Sequence, residues 1–497
     1  MNAASAPMRG DVAQEQFNTE EYDHISENDF IAVADQPLST FSIDVDTASY
    51  SNVRRFLNQG ELPPVGAVRI EELINYFSYD YPGPSDDHPF AVVHEVSESP
   101  WSAGNLIVHI GLQGKRMAQK DIPPRNLVFL LDVSGSMNDH NKLPLLKSSL
   151  KMLVESMDER DRVAIVVYAG AAGAVLEPTS ASNQNEILSA LDRLEAGGST
   201  NGGQGIELAY ALAEQNLDPK AINRVILATD GDFNVGTTDQ SSLIRLVEKK
   251  RETGVFLTVL GFGMGNYKDS TMEKLADKGN GNYAYIDTLN EARKVLVNEA
   301  GSTLFTIAKD VKIQVEFNPA EVVEYRLIGY ENRLLDNQDF NDDTKDAGEI
   351  GAGHSVTALY EIVPAGSTSS NASGSVDPLK YQTKGAKTAA AATGEMMTVK
   401  LRYKQPEAEE SQLLSVAVGR TVVELANSSD DFRFSTAVAG FGMMLRDSKH
   451  RGALTWATIA DLGSGAMGKD AHGYRKEFME LVARAADLSP KSAAVAK

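Results

Sequence analysis

The chain contains no cysteine, which removes thiol catalysis, thiolate metal sites and disulfides together. It has no apolar run of the roughly 18 to 20 residues needed to cross a bilayer. The longest candidate, Val163 to Leu176, is interrupted by Tyr168, Gly170 and Gly173 and reads as a strand followed by a loop. Basic clusters are also missing. Asp and Glu outnumber Lys and Arg 69 to 47, giving a net charge of −22, a balance that argues against a nucleic-acid surface. Met1 is not followed by the basic segment and apolar core of a secretory leader, so the chain is either cytoplasmic or written without a leader. No Gly-x4-Gly-Lys-Ser/Thr loop occurs.

The 497 residues, 42% hydrophobic and 23% charged, exceed what one core can organise and predict two to four domains. Residues 1–36 set Arg9 alone against eight carboxylates, the composition of a disordered acidic arm. Residues 37–120 read as helices followed by strands. There, Thr47 or Asp46 can cap a helix that Gly60 ends, and "VRIEELINYFSYDYP" predicts a second helix stopped before Pro82. From 124 to 300 apolar strands such as "LVFLLDV", "RVAIVVYAG", "RVILATDG" and "VFLTVLGFG" alternate with helical periods. In the first of those helices Leu143, Leu146, Leu150, Leu153 and Met157 share one face. Such alternation predicts an α/β unit, a mostly parallel sheet covered on both faces. Residues 303–425 return to strands without helices and predict a β-rich domain, with a flexible Ser/Gly/Ala/Thr loop at 365–394. If the strands before residue 115 complete that domain, the α/β unit is inserted in it. Residues 430–497 read as a helical segment.

The stretch "NLVFLLDVSGSM", 126 to 137, carries the chemistry. A buried strand ends there in Asp132, Ser134 and Ser136, three oxygen-bearing side chains at alternate positions. In an open parallel sheet, ligands bind beyond the carboxyl ends of the strands. Two further segments bring oxygens to such ends: Thr200 in the glycine-rich "EAGGSTNGGQG" and Asp230 closing "RVILATDG". Three hydroxyls and two carboxylates suit a hard divalent ion such as Mg²⁺, alternatively Mn²⁺ or Ca²⁺. The lack of histidine in these segments disfavours zinc. With so few direct carboxylates, much of the ion's charge stays unneutralised, leaving it ready to take a carboxylate from a partner.

These residues resemble the metal-ion-dependent adhesion site (MIDAS) of von Willebrand factor A (VWA) domains. Asp132, Ser134 and Ser136 fit its Asp-x-Ser-x-Ser motif, Thr200 its separate threonine and Asp230 its separate aspartate. "FSIDVDTASYSNVRRFLNQGELPP", "VRIEELINYF", "GFGMGNYKDSTMEKLADKGNGNYAYID" and "FGMMLRDS" are similar to bacterial VWA proteins of the YfbK type, over roughly residues 37 to 490. The resemblance implies a doubly wound, Rossmann-like VWA domain between family-specific N- and C-terminal segments. It further implies divalent-cation-dependent protein binding, non-enzymatic, with a partner's Glu or Asp completing the metal shell. It also implies export to the periplasm or cell envelope, often through a lipid-modified N-terminal cysteine that this sequence does not have. A structural envelope component with a fold-stabilising metal is the alternative, and a metal-assisted hydrolase a more distant one, since no general base beside the ion can be nominated.

Other motifs are weaker. Asp139 stands where some integrin domains carry an accessory cation but reads better as a helix-start carboxylate. Asp44-Val45-Asp46 is similar to the nucleophile motif of haloacid dehalogenase-type phosphatases, but its fifth position is Ala48 and no α/β sheet follows directly. "GFGMGN", 261 to 266, with Asp287 beyond it, starts like a dinucleotide loop but ends in Asn266 and follows a late strand. His140 follows the serines without the glycine elbow of a hydrolase.

Overall fold

A computed structural model describes residues 20, 22–198, 202–231, 240–264, 268–300, 304–367 and 388–490. In chain order its elements begin with β1 (Ile31–Ala32), β2 (Leu38–Ser42), α1 (Ala48–Asn58), α2 (Ile70–Asn75), β3 (Phe90–Glu98) and β4 (Leu106–Gly114). The central unit follows with β5 (Arg125–Asp132), α3 (Leu143–Glu155), β6 (Arg162–Tyr168), β7 (Ala172–Ser180), α4 (Gln184–Asp192) and α5 (Gly202–Gln215). It continues through β8 (Ile222–Thr229), α6 (Gln240–Arg251), β9 (Phe256–Phe262), α7 (Asp269–Lys278), β10 (Tyr283–Ile286) and α8 (Leu289–Arg293). The last part holds β11 (Thr306–Phe317), β12 (Val322–Ile328), β13 (Gly348–Gly351), β14 (Ser355–Pro364), β15 (Glu395–Lys404) and β16 (Gln412–Gly419). Helices α9 (Asp430–Leu445), α10 (Trp456–Ser464) and α11 (Tyr474–Leu488) complete it.

The central sheet has the order β10-β9-β8-β5-β6-β7, parallel except for the β6–β7 hairpin. Both faces are covered, as continuous apolar strands require. On one side Leu127, Phe129 and Leu131 of β5 meet the α3 stripe of Leu143, Leu146, Leu150 and Leu153. On the other, Val128 and Leu130 meet α5 through Ile206 and Ala209. That second approach is close enough to require glycine at 205, where a Cβ would lie 2.9 Å from the Tyr168 Cβ. The chain steps from β5 outward to β6 and β7, then returns to the other side of β5 as β8. The carboxyl ends of β5 and β8 therefore flank the topological switch.

The central α/β unit is an insertion. The chain leaves a β-sandwich after β4 and re-enters it at β11. One sandwich sheet is β1-β12-β14-β4-β3; the other is β13-β11-β15-β16, with β2 added on β11. Val108, Ile110 and Leu112 of β4 interleave with Ile313, Val315 and Phe317 of β11 in their shared core. The outer face of the first sheet, through Ile107, Ile328 and Leu359, is covered by α1, α2 and the C-terminal helices.

Several expectations shift. The arm expected over 1–36 is held to the body from Tyr22 onward: Ile31 pairs with Tyr325, and the Asn28 amide donates to the Gly329 carbonyl at 2.8 Å. Edge-strand pairing supplies the order that composition could not. Residues 1–19 and 21 lie outside the described residues. The segment at 37–120 starts with a strand, β2, not a helix. The Thr47 and Asp46 side chains do not cap α1; Asp46 instead accepts the Tyr283 backbone N–H at 2.8 Å. The helix expected up to Pro82 ends at Asn75, because Tyr76, Phe77, Tyr79 and Tyr81 are all buried, a packing that one helical face could not satisfy. Phe77 sets its ring 4.8 Å from Phe434 of α9. Most of the loop expected at 365–394, residues 368–387, lies outside the described residues.

Candidate metal centre

The site is built where β5 stops. All eight residues of β5 are buried, so its final carboxylate, Asp132, is delivered fully buried at the sheet's upper edge. The turn that follows folds back onto it. The Ser134 N–H donates to Asp132 Oδ1 at 2.9 Å, and the Thr229 hydroxyl of neighbouring β8 donates to Oδ2 at 3.3 Å. Ser134 Oγ lies 3.0 Å from Ser136 Oγ. Ser134 is buried and Ser136 exposed, so the cluster opens to solvent on the Ser136 side. One residue past β8, Asp230 is fully buried and accepts from Lys142 Nζ at 2.9 Å.

Burial pushes the Asp132 carboxyl up to about 6; the Ser134 bonds oppose the shift and the Asp230 charge adds to it. Two close buried carboxylates mean an excess of negative charge that a cation relieves.

The glycine-rich loop is tied to the same turn by backbone. The Gly135 N–H donates to the Gly198 carbonyl at 3.1 Å, and the Gly197 N–H to the Val133 carbonyl at 2.8 Å. Thr200 itself, with Ser199 and Asn201, lies outside the described residues. Four of the five residues read from sequence are thus placed, and Asp132, Ser134, Ser136 and Asp230 stand at the switch point. Among the described residues no three His, Cys, Asp or Glu side chains gather to hold a metal. A site here draws on hydroxyls, which fits a hard ion better than zinc.

Sequence reasoning missed Lys142 and Thr229. Lys142 is buried, and its stem lies across Gly263 after β9, where a Cβ would come within 2.3 Å of Lys142 Cε. Gly263 takes φ +76, and its carbonyl accepts the Tyr285 hydroxyl. A lysine between polar residues and a helix start carries no sign of burial. Thr229 could have been found as a hydroxyl inside a buried strand next to an aspartate.

Of the remaining candidates, Asp44, Asp46 and Asp287 serve the scaffold, and Asp139 and His140 stand apart. Asp139 is exposed and no side chain caps α3. His140 is exposed. Arg333 reaches Asp44 at 3.3 Å and Asp46 at 3.4 Å. Asp287 is engaged by Arg54 at 2.5 Å. Residues 265–267 of the glycine-rich turn lie outside the described residues.

The von Willebrand factor type A domain model matches residues 126–298. A model described as "von Willebrand factor" matches 16–109, and one described as "Uncharacterized protein YfbK, C-terminal" matches 302–488. Protein YfbK of Escherichia coli (strain K12) is 45% identical over 471 residues, covering 93% of this chain and 80% of its own. Human inter-alpha-trypsin inhibitor heavy chain H4 is 31% identical over 161 residues, 31% of this chain and 17% of its own. Among solved structures, a von Willebrand factor type A protein from Catenulispora acidiphila is 16% identical with a TM-score of 0.42, covering 82% of this chain and 91% of its own. At that identity and coverage of the Escherichia coli protein, the chain belongs to the YfbK family of von Willebrand factor type A domain proteins.

Proposed function

We propose that the chain is a non-enzymatic, divalent-cation-dependent protein-binding protein of the bacterial cell envelope. Asp132, Ser134, Ser136, Thr200 and Asp230 would hold Mg²⁺, or Mn²⁺ or Ca²⁺ in its place. A Glu or Asp of the partner would complete the shell from the side where Ser136 is exposed. Bound there, the ion supplies positive charge and an open position for an oxygen ligand. The observation that carries this reading is the placing of Asp132 and Asp230 at the ends of β5 and β8, beside the Ser134–Ser136 hydroxyl pair. VWA domains generally act in protein–protein interaction, which is where the domain match points.

The Lys142–Asp230 pair at 2.9 Å favours binding over the alternative of a fold-stabilising metal, since the fold carries its own cation for Asp230. The envelope location rests on the family resemblance alone, and fractionation of cells expressing the native gene tests it.

The test of binding is retention from lysate on the purified chain in Mg²⁺, in EDTA and with Asp132→Ala. A protein held only by wild type in Mg²⁺, and released by a competing carboxylate, supports the reading. Identical retention in all conditions would sink the metal bridge.

A further inference from the structure

The loop 329–333, which leaves β12, crosses a seam where the sandwich, α2, α7 and the C-terminal helices meet. The Tyr330 N–H donates to Glu71 Oε2 of α2 at 2.9 Å, and the Tyr330 hydroxyl to the Thr357 carbonyl of β14 at 2.8 Å. Asn332 donates to Glu273 and Arg333 to Asp277, both on α7 and both at 2.8 Å. Glu331 reaches Arg446, just past α9, at 2.9 Å. The loop thus ties the sandwich and α2 to the inserted unit. Its approach to Glu71 is tight, since a Cβ at Gly329 would lie 2.7 Å from Oε2. Gly329 and Tyr330 take φ +78 and +61, and a tyrosine holds such a left-handed backbone only where its surroundings impose it.

The seam has few cations for its acids. Arg69 meets Glu72 and Asp269, and Arg333 meets Asp44, Asp46, Glu273 and Asp277. Lys274 of α7 turns to Asp23 at 3.4 Å, and Arg446 is taken by Glu331. Glu71 is 1% exposed, and among the described residues no Lys, Arg or His pairs with it. Asp44, Asp46, Glu72 and Asp269 are buried beside it, and carboxylates so placed do not all ionise. Burial, followed by the charges of Glu331 and Asp44, pushes the Glu71 carboxyl up to about 8, against the pull of the Tyr330 N–H. A cavity of about 290 Å³ lined by His24, Glu71, Glu273 and Glu331 gives water a route to its proton.

We propose that the loop 329–333 is a pH-operated latch on the inserted unit, shut while Glu71 keeps its proton and released when the proton leaves. Ionised, Glu71 stands against Glu331 and Asp44, the loop lifts, and Asn332 and Arg333 let go of α7. An acid that holds its proton more tightly in the shut state than in the open one favours the shut state at low pH. That preference is complete below the ordinary glutamate value of 4.5 and is lost as the pH rises to about 8. The latch does not depend on the metal site.

Amide hydrogen exchange of the full chain, with rates corrected for their chemical pH dependence, tests this. Between roughly pH 6 and 8, protection at residues 329–333 should fall at least about tenfold per pH unit and then level off, while β5 keeps its protection. Glu71→Gln stays neutral and can still accept the Tyr330 N–H; it should remove about one tenfold step per pH unit from that slope. Glu331→Gln takes away an opposing charge and frees Arg446, so it should bring the levelling-off to lower pH, and it carries the test where Glu71→Gln does not fold. Flat protection in wild type, a slope unchanged in Glu71→Gln, a levelling-off unmoved in Glu331→Gln, or a loss shared equally by β5 would each overturn the proposal.

Discussion

Two pairs of buried carboxylates lie in the VWA domain, and they are neutralised in different ways. Asp287 and Glu291, after β10 and in α8, face Arg54 of α1, whose Nε and Nη2 reach Asp287 at 2.8 and 2.5 Å and whose Nη2 reaches Glu291 at 2.7 Å. The Tyr76 hydroxyl adds a bond to Glu291 at 2.8 Å. Asp132 and Asp230, at the switch point, meet backbone and hydroxyl donors and, among the described residues, the ammonium of Lys142. A planar guanidinium with fixed fork geometry locks its partners, whereas an ammonium on a four-carbon stem is a point charge that can withdraw. The first arrangement is a bolt joining α1, α8 and α11, which it reaches through Glu477 at 2.9 Å. In the function proposed above, the second would be a place where one cation is exchanged for another.

Removing the bolt should give the largest effect. Arg54→Met leaves Asp287 and Glu291 buried without their cation, and breaking such a pair from one side costs about 3–5 kcal/mol. Urea unfolding should show the midpoint falling with the slope unchanged. Adding Asp287→Asn and Glu291→Gln should recover part of the loss, because it removes the uncompensated charges. A loss below about 1 kcal/mol would mean that the bolt is not structural.

Next in size is an acid response of the scaffold. His109, buried and 2.7 Å from the Tyr81 hydroxyl, is pushed down to about 4 by burial. The unfolded chain takes up a proton near pH 6.5 and the folded one only near 4, so the unfolded state binds more protons between them. Stability from this group is full above pH 6.5 and falls as the pH drops toward 4, by about 3 kcal/mol in all. His109→Gln should flatten that part of the stability–pH curve, and an unaltered slope would assign the acid response to other groups.

The contrast also shows what sequence can carry. The doubly wound unit was legible because its strands are near-continuous apolar runs and its helices keep a 3.6-residue period, both local signals. The insertion in a β-domain followed from strand order alone. The switch-point residues were legible because Asp132, Ser134 and Ser136 sit together and end a strand. Arg54 gave no sign. Its partners Asp287, Glu291 and Glu477 are 233 to 423 residues away, so nothing local distinguishes it from the adjacent Arg55. The early end of α2 was hidden for the same reason: the aromatics after Asn75 pack on helices near the C-terminus. Lys142 is ten residues from Asp132 and still gives no sign, because burial of a lysine is decided by Gly263 and Asp230, just past the ends of other strands.

Ion binding sharpens the comparison from the other side. Mg²⁺ should stabilise wild type against heat, by about 2.7 kcal/mol when the ion is at one hundred times its dissociation constant. Asp132→Ala should lose that gain entirely, and Arg54→Met, measured well below its own midpoint, should keep it. A gain that survives Asp132→Ala would place the ion elsewhere. This readout needs no partner, so it separates a failure of metal binding from a failure of adhesion.

Lys142→Met is the finest test, because it changes the exchangeable cation and leaves the carboxylates in place. If the ammonium neutralises Asp230 when no ion is bound, an incoming Mg²⁺ must overcome that pairing. Taking the ammonium away should then tighten Mg²⁺ about tenfold, about 1.4 kcal/mol, while lowering stability in EDTA by a similar amount. The two changes have opposite signs and one origin, so they should nearly cancel in saturating Mg²⁺. Calorimetric titration and melting in parallel would read both. Unchanged Mg²⁺ affinity in Lys142→Met would mean that the lysine only fills the space above Gly263. In that case the difference between the two carboxylate pairs would lie in packing rather than in an exchangeable charge.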